Sequence, residues 1–142
     1  MKTLLLIVLT LLFSVPGMAD SSQALQGSWL SNAQLTIKSI EEQRQINDEE
    51  REALGRLFGK LKLTFGPNTV EVDQGIPAPT TTVFEEPFAV ISTGTNFVVV
   101  EFGTEETGIT QTKYVFEGDC IKTNVEAVLS VKNFFEYFCK LE

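Results

Sequence analysis

Beyond Gly59 the apolar residues change from a helical period to a period of two, and that switch decides most of what the chain can become. Leu61, Leu63 and Phe65 alternate with Lys62 and Thr64, which predicts a strand with one buried face. Gly66-Pro67-Asn68 supplies a turn, and Val70 and Val72 alternate with Glu71 and Asp73 on the return. Two prolines and a glycine between Gln74 and Pro79 mark a stiff loop. Thr80 to Phe84 predicts a further strand that Phe88 to Ser92 continues past Pro87, a proline that argues for an edge or a bulge. Thr93-Gly94-Thr95-Asn96 turns the chain into Phe97 to Phe102, which is apolar on both faces and so predicts the most buried strand. Gly103 to Gly108 turns again, and Ile109 to Glu117 places Tyr114 and Phe116 on one side. Gly118-Asp119 is the next turn, residues Thr123 to Val131 read as either strand or short helix, and Phe134 to Leu141 predicts a closing strand. In that last segment alternation sends Phe134 and Phe138 to one face and Phe135 and Tyr137 to the other. One set would fill an interior, and the other would pack under helices.

Ahead of Gly59 the pattern differs. Gly27-Ser28-Trp29-Leu30 predicts a first strand anchored by Trp29. Ser31 and Gln34 have capping-box spacing, and Ala33, Ile37 and Ile40 recur at helical intervals, predicting a helix from Asn32 to about Glu42. Asn47 and Glu50 repeat that spacing before Ala53, Leu54, Leu57, Phe58 and Leu61, predicting a second helix from Asp48 to about Phe58, with Gly59 as its C-terminal glycine. The resulting class is α+β, mainly β. It is an antiparallel meander closed or nearly closed into a small barrel, with one or two short helices after the first strand covering one opening or one face.

The N-terminus predicts export. Lys2 precedes an apolar run of twelve residues, Leu4 to Val15, interrupted only by Thr10 and Ser14. Pro16-Gly17 breaks any helix, and Gly17-Met18-Ala19 offers small residues at both positions a signal peptidase reads. The run is shorter than the roughly 20 residues that span a bilayer. Residues 1–19 are therefore expected to be a cleaved signal peptide, and 20–142 a single β-barrel domain without stable membrane insertion. Cleavage removes Lys2 and leaves ten basic against nineteen acidic residues, a net charge near −9. Such a surface repels nucleic acid and suits a cationic partner. The expected location is secreted, in the periplasm of a Gram-negative bacterium or in the extracellular space.

Catalytic options are narrowed by what the chain lacks. With no histidine, neither a Ser-His-Asp or Cys-His arrangement nor a His-ligated zinc site can be assembled. The glycines match neither a phosphate loop nor a dinucleotide fingerprint. Two cysteines in an exported chain, Cys120 and Cys139, invite one disulfide that would leave no thiol nucleophile. Carboxylates remain: Glu41-Glu42, Glu49-Glu50, Glu85-Glu86 and Glu105-Glu106 are adjacent pairs, and Glu101 follows the most apolar run. Neighbours on a strand point to opposite faces, so adjacency alone does not build a catalytic pair. No cofactor and no metal site is expected.

Gly27-Ser28-Trp29 near the expected mature start, followed by an all-antiparallel chain, resembles the lipocalin-like group of small exported bacterial proteins. In that group the GxW tryptophan closes the base of the barrel, which implies that structural role for Trp29. Glu117-Gly118-Asp119-Cys120 and the aromatic strand from Phe134 to Tyr137 extend the likeness, whereas the short chain and the two helices after the first strand depart from it. Together with the absence of catalytic groups, these features predict a non-catalytic module holding a small apolar or amphipathic ligand. The expected lining is Phe65, Phe84, Phe88, Phe97, Phe116 and Phe138. The alternatives are an acidic protein-protein module, such as an inhibitor of a cationic exported enzyme, or an envelope protein without a ligand.

Overall fold

The computed structural model describes residues 21–76, 82–125 and 134–142. The expected signal peptide at 1–19 lies outside the described residues, as do 77–81 and 126–133, which include parts of the expected stiff loop, of the strand after it and of the ambiguous segment. The described chain begins with a short helix, α1 (Ser21–Leu25), then β1 (Gly27–Ser31), α2 (Ala33–Glu41) and α3 (Asp48–Leu57). Seven strands follow: β2 (Lys62–Phe65), β3 (Thr69–Asp73), β4 (Val83–Thr93), β5 (Phe97–Phe102), β6 (Thr110–Glu117), β7 (Cys120–Asn124) and β8 (Phe135–Lys140). All eight strands pair antiparallel in sequence order, and β8 returns to β1 to close a barrel. A meander of this kind closes the sheet on itself without any crossover.

Register fixes the inner face. Trp29 lies opposite Leu63, Leu63 opposite Val72, and Phe65 opposite Val70. Val98 lies opposite Tyr114, and Ile121 opposite both Phe116 and Phe138. With Leu25 from α1, these residues form the barrel core, in which Val98, Val100 and Ile121 are fully buried. Pro87 is neither on an edge nor at the bulge. It stands at the last pair between β4 and β3, where the ladder to β5 is about to begin, so its missing N–H breaks little of either. The register shift lies instead between Val90 and Ser92.

The two ends of the barrel are finished differently. At the base, α1 lays Leu25 into the core, and the Trp29 Nε1–H donates to the Leu25 carbonyl at 2.7 Å. The Ser21 hydroxyl donates to the Gly94 carbonyl at 2.7 Å, tying α1 to the β4–β5 turn. Gly27 enters β1 at φ +119, a conformation that strains any residue with a Cβ. The glycine of the GxW segment thus makes the sharp change of direction between the plug and the first strand.

At the opposite end β1 stops at Ser31, so only Phe138 to Lys140 of β8 pair with it. Helix α2 completes the seam. The Asn32 N–H donates to the Tyr137 carbonyl, the Tyr137 N–H donates to Thr36 Oγ1 at 3.0 Å, and the Ser39 hydroxyl donates to the Phe135 carbonyl at 3.0 Å. Thr36 and Ser39 are buried, and each backbone group left unmet in their place would cost about 1–3 kcal/mol. The sequence spacing places Ser31 as the cap of α2, but the cap is Asn32, whose Oδ1 accepts from the Leu35 N–H. Ser31 is engaged elsewhere: its Oγ accepts from the Gly59 N–H at 3.0 Å. Helix α3 does begin with a reciprocal capping box between Asn47 and Glu50. A second small core of Ile40, Phe58 and Phe134 lies under the two helices, with Phe58 and Phe134 edge to face at 5.8 Å.

Phe134 therefore sits just ahead of β8 and under the helices, while Phe138 fills the barrel. Cys120 and Cys139 face each other across β7 and β8 and form a disulfide. Among the described residues no helix is long and apolar enough to cross a membrane.

Candidate functional site

The barrel interior contains two layers of different character. Toward the base, Trp29, Phe65, Val70, Val98, Val100, Ile121 and Phe138 are buried and leave no surface for a ligand. On the β3–β5 side, Val72, Phe88 and Phe102 pack onto this core yet remain only half-buried. Phe84 shares the inner face with Val72 and is 42% exposed. Ile76 beyond the end of β3, Val83 on the outer face at the start of β4, and Ile109 just ahead of β6 are also exposed. Aromatic contacts hold the layers together: Phe65 meets Phe88 at 5.4 Å and Tyr114 at 5.6 Å, both edge to face, and Phe88 meets Phe102 at 6.3 Å. Edge-to-face contacts favour one fixed arrangement of rings. On the outer face of β4 and β5, apart from this inner wall, a hollow of about 170 Å³ lies between Pro87, Ala89, Glu101 and Gly103 and touches Phe88.

The six expected lining residues thus separate. Phe65 and Phe138 belong to the packed core, and Phe116 is half-buried against Trp29 at 6.3 Å, near the base. Phe84 and Phe88 lie together on the inner face of β4, two positions either side of Glu86. Phe97 lies on the outside of the barrel, because Val98 and Val100 take the inner face of β5. Its ring covers Gly94, and the Lys113 Nζ sits 4.3 Å above it. Apolar residues on both faces of that segment leave the sequence no way to choose the inner one. Trp29 is 3% exposed and has the Lys140 Nζ 5.4 Å from its ring, so the base is closed by a tryptophan with a cation outside it.

Polar groups also enter the interior, and the sequence pattern alone does not single them out. Glu86 pairs with Val70 on the inner face, while its neighbour Glu85 faces out. Glu136 pairs with Thr123 and accepts a hydrogen bond from the Ser31 hydroxyl at 2.8 Å. Burial pushes the Glu136 carboxyl above the usual carboxylate range, and the Ser31 hydroxyl partly offsets this. Tyr114, 5% exposed, lies among these groups: burial first, then the charges of Glu136 and Glu86, hold its proton on well above the ordinary tyrosine range. The signal for Glu136 is present in the alternation, since it shares a face with Phe138. Glu101 is on the outer surface, where the Gln111 side-chain amide donates to it at 3.3 Å.

Among the described residues no group of three or more potential ligands is placed to hold a metal ion. Both thiols are consumed by the disulfide. What the arrangement offers is a shape: a barrel plugged at its base, with half-exposed aromatic rings and two carboxylates on its inner wall. No family model, no curated protein and no solved structure matches this chain.

Proposed function

We propose that this chain is an exported, lipocalin-like, non-catalytic binding module that holds a small apolar or amphipathic ligand in the upper part of its barrel. The observation that carries the proposal is the unequal burial of one inner wall. Phe65 and Val70 are sealed, whereas Phe84, Phe88 and Phe102 on the same wall keep exposed area that a ligand would cover. Covering apolar surface is favourable at about 25 cal/mol per Å², and a preformed aromatic wall is the usual place for it. The plug of Leu25 and Trp29 means that the ligand enters from the end opposite α1 and goes no deeper than Tyr114.

A fluorescence titration with the uncharged dye N-phenyl-1-naphthylamine tests this. Saturable enhancement is expected, and Phe84→Asp, a change at an exposed position, is expected to weaken it by about tenfold or more, as loss of a buried phenyl contact requires. Absence of saturable binding, or equal binding by the variant, would contradict the proposal.

A further inference from the structure

The interior carboxylates carry the binding reading one step further, to the charge of the ligand. Glu86 and Glu136 project inward from opposite parts of the wall, Tyr114 shares that inner face on β6, and the charges of both carboxylates reach it. Neither carboxylate has an ion-pair partner among the described residues. The lysines of the neighbouring strands are turned away: Lys113 covers Phe97, and Lys122 pairs with Glu117 while lying over the rings of Phe135 and Tyr137. Lys140 is at the base, over Trp29. Tyr114 is more than nine-tenths buried, yet its hydroxyl has no hydrogen-bond partner among the described residues. Among the described residues no fully sealed side-chain oxygen or nitrogen lacks a partner, so the small part of Tyr114 that remains reachable includes that hydroxyl. A largely buried phenol with an unpartnered hydroxyl, on the same inner face as two carboxylates without counter-ions and within reach of their charge, is an incomplete polar cluster.

We infer that the missing member is the head group of the ligand, and that the barrel selects cationic amphiphiles: an ammonium among Glu86, Glu136 and the Tyr114 hydroxyl, with its hydrocarbon tail along Phe84, Phe88 and Phe102. This rests on the binding reading above. An ammonium supplies the absent positive charge, and the half-buried ring of Phe88 attracts a cation as well. A fatty acid would place a third negative charge beside two that have none to balance them. The same tail with the opposite head is therefore the discriminating comparison.

The experiment is displacement of N-phenyl-1-naphthylamine by decyltrimethylammonium and by decanoate. The cationic amphiphile is expected to displace the dye at a concentration lower by about tenfold or more. Glu86→Gln and Glu136→Gln are each expected to reduce that preference by about threefold or more, on the scale of one partly solvated charge contact. Glu136→Gln keeps an acceptor for the Ser31 hydroxyl. The Glu86 side chain makes no hydrogen bond among the described residues, so neither change removes a contact that holds the fold. Glu105→Gln and Glu106→Gln in the exposed β5–β6 loop make the same change in net charge and are expected to leave the preference unchanged. Equal displacement by both amphiphiles, stronger displacement by decanoate, or an equal loss in the loop variants would overturn the inference while leaving a binding barrel in place. If the dye is never taken up, the binding reading fails and this one with it.

Discussion

Replacing Trp29 by alanine is expected to cost about 3–5 kcal/mol of unfolding free energy, the range found for removing a fully buried large aromatic. Trp29 is 3% exposed, packs on Phe116 and belongs to the barrel core. Its indole N–H also satisfies the Leu25 carbonyl, so the alanine variant leaves that carbonyl unmet and loosens the hold of α1 on the base. Trp29→Phe separates the two contributions: most apolar area survives and the hydrogen bond does not, so a loss of about 1–2 kcal/mol is expected from the bond together with imperfect filling. Urea unfolding followed by circular dichroism measures both, since Trp29 is the single tryptophan and the variants lose its fluorescence. A loss below about 1 kcal/mol for the alanine variant would show that the base does not depend on this residue.

Reducing the Cys120–Cys139 disulfide is expected to cost about 3 kcal/mol, the loop-closure value for a cross-link of this length. The two cysteines are nineteen positions apart and directly opposite each other across β7 and β8. Their position makes the effect larger than surface location suggests. The β1–β8 seam has only three paired positions before α2 takes over, so β8 depends on β7 for much of its placement. Double substitution by serine should lower the urea midpoint by the same amount as reduction, and reductant should then have no further effect. An unchanged midpoint on reduction would mean that the seam holds without the cross-link.

Much of this architecture is legible in the sequence, for a local reason. Alternation in Leu61–Phe65, Val70–Val72 and Ile109–Glu117, with glycine-bearing turns between, encodes strand, face and hairpin within a few residues of each other. The reciprocal capping box of Asn47 and Glu50 is equally local. Other features depend on partners far along the chain. Ser31 has the spacing of a cap, but a glycine amide 28 positions away and a carboxylate 105 positions away claim its hydroxyl, and Asn32 caps instead. Thr36 and Ser39 look like ordinary helix residues until β1 ends early and β8 needs acceptors and donors along its open edge. Phe97 reads as an interior residue because its strand is apolar on both faces from Phe97 to Val100; only the packing of Val98 and Val100 chooses the inner face. For Glu136 the alternation does point inward, but the phenylalanines around it carry the stronger signal and mask the carboxylate between them.

The unequal burial of the aromatic wall is tested most directly by amide chemical-shift mapping of the isotope-labelled protein on adding N-phenyl-1-naphthylamine. Perturbations are predicted to gather at Val72, Phe84, Phe88 and Phe102, with Tyr114 at their inner limit, and to spare Leu25, Trp29 and Lys140 at the base. Perturbations confined to the groove of about 440 Å³ between α2 and α3, lined by Gln34, Ile37, Lys38, Glu41 and Arg51, would contradict a barrel site, as would a spectrum that does not change.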